Sequence, residues 1–400
     1  MSWTNEDRLL LYCLGTNMSA ITAQKITEFE KSGIDWAYFL KKARENGVSA
    51  PVYAKLNENE PNFLTIPSEI SEALRNDYYL NATKNALVFN ELGKVLEEFN
   101  KTGPAVLVLK GAALAEAVYK NLAFRPMLDV DLLVKKEDLA VLDEKLKALG
   151  YWPSDRAVED IDLSSTYLTT LDYRSSSDNS LSLHIHWHFV NSTVPNDSLV
   201  ENIKMENIWR DAIEARIADV ETLVMAPHHL LIHLSEHALR VRHSLSKLSF
   251  LCDIHEVVNS YKEQLDWSRL INESLEFNLN RMVYISLYFA SEFLATKIPK
   301  EVLSRLRPVR FSLGERIFMN SVLNNRHFTG LSYFVHLAMN KGLYKKSKFV
   351  GRTFFPPRQI MAQRSFIPLS NLSCAHYFQR INEILLQLLK VLKFAPSRKA

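Results

Sequence analysis

Two aspartates, Asp129 and Asp131, sit two residues apart inside the apolar run RPMLDVDLLV (125–134). A strand alternates its side chains, so both carboxylates leave the same face. Like charges placed side by side in an apolar element repel and lose hydration unless something pairs with them. Paired oxygen donors suit a hard divalent cation, because magnesium takes one or two carboxylates together with phosphate oxygens. The chemistry expected of the pair is metal-assisted handling of a nucleoside triphosphate. An edge strand whose aspartates face water would give the same pattern, so the neighbouring residues have to decide.

The preceding segment, AVLVLKGAALAEAVYK (105–120), reads as a short strand, a break at Gly111 and a good helix former. Glycine lets backbone amides approach a phosphate, and a helix start favours an anion. Lys110 adds a full charge and Arg125 a further clamp. Lys110, Gly111 and Arg125 are therefore the expected nucleotide-binding residues, beside Asp129 and Asp131 as metal ligands.

Histidines form two further groups. In LSLHIHWHF (181–189), Leu181, Leu183, Ile185, Trp187 and Phe189 alternate with Ser182, His184, His186 and His188. An H-x-H strand can hold zinc through neutral imidazoles, but no cysteine is near to assist. In PHHLLIHLSEH (227–237), His233, Glu236 and His237 spell the H-x-x-E-H of some metallopeptidase helices. His229 and Arg240 extend the same stripe. A polar stripe opposite an apolar face more often lines a cleft or faces water.

The stretch LVLKGAALAEAVYKNLAFRPMLDVDLLV resembles the nucleotidyltransferases of the DNA polymerase beta superfamily, where a small-residue turn at a helix start precedes a D-x-D strand. In particular it is similar to a bacterial branch of uncharacterised nucleotidyltransferases. Their pattern runs LKGxAL…RPMxDxDLLV and continues to a His-Trp pair, here His186–Trp187. The resemblance implies an α+β fold with a small mixed sheet, flanked by helical regions. It implies magnesium, with manganese as an alternative, on Asp129 and Asp131. It also implies an NTP substrate and an acceptor that is a small molecule, peptide, protein or RNA. Such sites usually carry a third carboxylate on a later strand, and this chain has His184 at the expected position. Either His184 serves as base or ligand, or Asp172 on the partner strand reaches in, or the site is weakened. The last case would leave a catalytically weak or inactive nucleotide- or nucleic-acid-binding module. His186 is expected to line the site. His229, His233 and Arg240 are candidates for the acceptor pocket.

These residues need elements to position them. Residues 1–100 read as helices, with LNENEPN (56–62) as a loop and Pro67 near the start of a long amphipathic helix. Strand, turn, helix, strand and helix follow. LTTLDYR and SLSLHIHWHFV form a hairpin joined by SSSDN. From Thr222 the pattern is helical again. The expected division is a helical region (1–100), an α+β core (101–220) and a helical C-terminal region (221–400).

Composition sets the outer bounds. With 400 residues and 47% hydrophobic content, the chain can bury a sizeable core. The net charge is +3, yet the span from Arg316 to Asn382 holds ten Lys or Arg and no acid, so it could contact a polyanion. Three scattered cysteines form neither a disulfide framework nor a zinc spacing, which points to a reducing compartment. The start has no basic leader before an apolar run, and no stretch reaches the length of a transmembrane segment. A cytoplasmic location is the expectation.

Overall fold

The structure is a computed structural model that describes residues 3–15, 29, 33–58, 65–154, 158, 169–175, 181–190, 197–241, 243–326, 330–365, 367 and 369–394. At its centre is one mixed sheet of seven strands: β1 (Val106–Val108), β2 (Val130–Val134), β3 (Tyr151–Pro153), β4 (Thr170–Ser175), β5 (Ser182–His186), β6 (Ile213–Ile217) and β7 (Val220–Val224). Their order across the sheet is β3-β4-β5-β2-β1-β7-β6. β2 runs parallel to β5 and β1 parallel to β7, and the other neighbours are antiparallel. Helices flank this sheet on both sides in sequence, giving the expected α+β class.

Strands β1 and β2 are buried throughout, as their uninterrupted Val/Leu runs require of central strands. Val106, Val108, Val130, Leu132 and Val134 pack against Leu92, Leu96 and Phe99 of the helix Ser68–Thr102, and against Leu139, Leu142 and Leu146 of the helix Leu139–Ala148. That second helix ends where Gly150 takes a φ of +82°. Leu107, Leu109 and Leu133 face the other way, into the large core of the helices Pro227–Ala238, Leu248–Ser260 and Asn280–Leu294. Alternation places Asp131 on this second face, next to Leu133.

The register sets the site. Asp131 pairs with His184 across β2 and β5, and His184 pairs with Asp172 across β5 and β4. Three polar residues thus stand abreast on neighbouring strands. The β4–β5 hairpin forms as expected, with Ser175 ending β4 and residues 176–180 of its connection outside the described set.

Several expectations need correction. Alternation in β5 stops at His186. The Trp187 N–H still donates to the Thr169 carbonyl at 3.1 Å, but the chain then bends. Phe189 therefore packs into the core opposite the one that takes Trp187, and His188 is buried away from the site. The segment after residue 197 contains two short helices, Asp197–Asn202 and Met205–Arg210, and the β6–β7 hairpin. That hairpin turns on Ala218 and Asp219, both at positive φ. Two consecutive positive φ values make a tight primed turn, and Ala-Asp lacks the Asn-Gly signature that would announce it. The N-terminal helices Asn5–Leu14, Trp36–Glu45 and Ser49–Glu58 are present. The last runs through half of the anticipated loop at 56–62, and residues 59–62 lie outside the described set. Among the described residues, no helix is long and apolar enough to cross a membrane.

Candidate active site

A cavity of about 800 Å³ opens between the sheet face bearing Asp131 and helices of both the N-terminal and C-terminal regions. Asp131 forms part of its floor. The Lys110 ammonium lies 2.7 Å from Asp131 Oδ1, and His186 Nε2 lies 2.7 Å from the same oxygen. All three side chains are buried. Burial alone would raise the Asp131 carboxyl, but Lys110 and the His186 bond together hold it well below the usual range. Burial also pushes the Lys110 ammonium down from its ordinary value, against the pull of Asp131. Both values fall, which favours the charged carboxylate but works against the charged ammonium. With two donors converging on one oxygen, the charged carboxylate is the state that follows. A carboxylate can only accept, so His186 must carry its proton on Nε2. Burial, then the Lys110 charge, lowers His186 from 6.5 to about 4, which makes it a neutral donor at pH 7.

Asp129 and Asp131 differ sharply. Asp129 is at the rim, with its side chain 40% exposed. Burial, and then the charge of Asp131, raises its carboxyl above the ordinary value. His184 reaches Asp129 Oδ2 with Nδ1 at 3.1 Å and faces Asp172 Oδ1 with Nε2 at 3.7 Å. It therefore bridges the D-x-D strand and the next acidic strand. Asp172 also lines the cavity, one strand further out than the position His184 holds.

The strand-to-helix turn works differently from its sequence reading. Lys110, not Gly111, takes the positive φ, at 42°. A non-glycine residue held there is strained, and such strain persists where surrounding contacts fix it. The buried bond to Asp131 is that contact. Gly111 is helical, and a Cβ on it would meet Met127 Cγ and Sδ at 3.0 Å. Its value is space rather than backbone freedom. The helix beyond runs only four residues before a π-turn at Leu114–Val118, a form often found near functional sites.

A family model described as uncharacterised nucleotidyltransferase matches residues 32–295. The chain belongs to that family. No curated protein matches this nucleotidyltransferase family member significantly. Two solved structures are similar in part. One is an antigenic nucleotidyltransferase-like protein from Paracoccidioides brasiliensis, 14% identical, with a TM-score of 0.34 over 56% of this chain and 97% of that one. The other is JHP933 from Helicobacter pylori, 12% identical, with a TM-score of 0.28 over 68% and 97% of the respective chains. Neither likeness is close enough to support residue-level comparison.

Within this family member the remaining expected site residues divide. Arg125 and Arg240 line the cavity, each anchored on an acid. Arg125 Nε donates to Asp253 at 2.9 and 3.1 Å, and the Tyr119 hydroxyl bonds the same carboxylate at 3.0 Å. Arg240 Nε donates to both oxygens of Glu236, at 3.1 and 2.9 Å. Glu236 is thereby committed to an ion pair, which weakens the metallopeptidase reading of H-x-x-E-H. His229 and His233 do not line this cavity and are wholly buried. His233 Nδ1 lies 2.9 Å from the Phe189 carbonyl. Of the expected cleft stripe, His237 and Arg240 line the cavity, whereas His229 and His233 are packed in the core. Sequence reasoning missed Arg364 and Arg380, which reach the cavity from the far C-terminal helices Arg358–Ser365 and Cys374–Phe394. Only the absence of acids around them hinted at a role.

Proposed function

We propose that this chain transfers a nucleoside monophosphate from an NTP to an acceptor nucleophile. The new bond forms at the α-phosphorus as the bond to the β-phosphate oxygen breaks, and pyrophosphate leaves. One observation carries the proposal: Asp131 is kept as a carboxylate at the floor of a cavity whose rim holds Asp129, His184 and Asp172, and whose walls carry Arg125, Arg240, Arg364 and Arg380.

The donor set fits a hard divalent cation. Lys110 and His186 both bond Asp131 Oδ1, so Oδ2 remains available, and Asp129 adds a more exposed carboxylate. When bound, magnesium or manganese would neutralise phosphate charge and stabilise charge on the attacking and leaving oxygens. Lys110 and His186 hold Asp131 ionised and oriented, so Lys110 acts as a positioning residue rather than a direct phosphate grip. The arginines on the wall offer charge and donors to the triphosphate and its leaving group. Asp129 or His184, at the rim, is placed to take the acceptor proton.

A second reading has its own support. With Lys110 engaging Asp131 and an imidazole where a third carboxylate is usual, the fold could bind a nucleotide without turning it over. Label transfer from α-labelled NTPs, with magnesium or manganese, separates the two readings. Pyrophosphate release by wild type that Asp129→Asn/Asp131→Asn abolishes supports transfer. Metal-dependent binding without release supports the module. No metal-dependent nucleotide binding at all would refute both.

A further inference from the structure

Away from the cavity, four side chains converge that the proposed reaction does not use. Asp211 sits just after the helix Met205–Arg210, where the chain turns into β6. His228 and His229 occupy the first turn of the helix Pro227–Ala238, and Glu273 lies on the helix Trp267–Glu276. One ligand atom from each of the four lies within 4.8 Å of the others. His228 and His229 are 4% and 0% exposed.

Their polar atoms are not satisfied within the protein. His228 Nε2, His229 Nε2 and Glu273 Oε2 are all buried without a hydrogen-bond partner. His229 Nε2 does approach Glu273 Oε2, at 2.5 Å, and His228 Nε2 stands 3.6 Å from that oxygen. The first contact is close without hydrogen-bond geometry. Even if it were a hydrogen bond, one carboxylate oxygen would be facing two imidazoles, and His228 would stay unpaired. Buried polar groups are rarely left so, because each costs roughly 1–3 kcal/mol. Three orphaned donor atoms pointing at one another are what a missing cation would leave.

We infer that Asp211, His228, His229 and Glu273 form a second, structural cation site that takes zinc or a similar borderline transition metal.

The donor chemistry selects the metal. Two imidazole nitrogens and two carboxylates suit zinc, whereas magnesium prefers oxygen alone. Zinc arms of about 2.0–2.2 Å need only small side-chain adjustments from the present separations. Zinc takes imidazole in its neutral form, and a helix start disfavours the charged one. Arg269 supplies the outer shell: it donates to Asp211 Oδ2 and to Glu273 Oε1, the latter at 3.0 Å. That fixes both carboxylates while leaving Glu273 Oε2 turned toward the histidines. A metal here would tie the approach to the β6–β7 hairpin to two helices of the C-terminal half.

This inference does not depend on the proposed transfer reaction, and its test uses no nucleotide. Full-length Asp129→Asn, which weakens the candidate magnesium site without an expected loss of stability, is stripped with a chelator and titrated with zinc alone or cobalt alone. One equivalent of zinc should survive gel filtration, and cobalt should show the intense visible absorption of tetrahedral coordination. His228→Ala and Glu273→Gln, made in that background, should weaken zinc by at least the ~10–100-fold that losing even an outer-shell partner costs. His228→Cys guards against misfolding of the alanine variant. It should keep one equivalent and add a thiolate-to-cobalt charge-transfer band. Failure of the background protein to retain zinc overturns the inference. So does undiminished zinc affinity in folded His228→Ala and Glu273→Gln, or a cobalt-loaded His228→Cys without the charge-transfer band.

Discussion

The Lys110 ammonium lies 2.7 Å from Asp131 Oδ1, with the two side chains only 6% and 7% exposed. The pair joins the turn after β1 to the start of β2, so it locks the strained Lys110 backbone and the candidate metal ligand together. It also means that Asp131 is neutralised before any metal or nucleotide arrives.

Asp131→Asn should therefore destabilise the fold. The amide leaves Lys110 buried without a counter-charge, and breaking a buried pair costs on the order of 3–5 kcal/mol. Urea unfolding should show the loss, and Lys110→Met added to Asp131→Asn should recover part of it. An unchanged midpoint for Asp131→Asn would show that the pair contributes nothing. In wild type, the Asp131 contribution is fully present above the unfolded carboxyl value of about 3.9 and is lost as pH falls through its lower folded value.

Asp129→Asn should behave in the opposite way. Burial and the charge of Asp131 raise its folded carboxyl, so ionising it at neutral pH works against the fold. The asparagine should leave the melting temperature unchanged or higher while reducing magnesium-dependent NTP binding. Calorimetric titration checks the second half, where equal affinity for wild type and variant would remove Asp129 from the site.

Acid should unfold the protein well before its carboxylates titrate. His186, His188 and His336 are all pushed from 6.5 to about 4, burial being the main cause in each. Unfolding frees each to take a proton near 6.5. The stability they contribute as neutral groups is complete above that value and is lost as pH falls through about 4. Denaturation at a series of pH values should show a steep decline from about pH 6.5 downward, and His186→Asn should make it shallower. A flat profile over that range would mean these histidines are accessible to protons in the folded state.

His184 should govern metal preference. It stands between Asp129 and Asp172 where a carboxylate would be usual, and imidazole is a poor magnesium ligand. Any transfer activity should be higher with manganese, and His184→Asp should narrow the gap by raising the magnesium-supported rate. Rates in the two metals, measured for both proteins, decide the matter; a variant that loses activity in both would make His184 a base.

The sequence by itself determined what depends on period and neighbouring residues. Period-two spacing suggested that Asp129 and Asp131 share a face, and both do line the cavity, although Asp129 lies just before β2 rather than within it. The long helix after Pro67, the β4–β5 hairpin and the shared face of His184 and His186 follow from the same local rules. Tertiary structure decided what each face meets. The partner of Asp131 comes from the turn after β1, and two of the cavity arginines, Arg364 and Arg380, come from helices more than two hundred residues later. The histidine stripe of residues 228–237 looks amphipathic in sequence, yet packing buries His228, His229 and His233 while His237 reaches the cavity. Phe189 changes cores because the chain bends, which period-two alternation cannot foresee. Side-chain periodicity is set by backbone geometry within a few residues, whereas burial and charge pairing are set by which distant segments fill the space above a face.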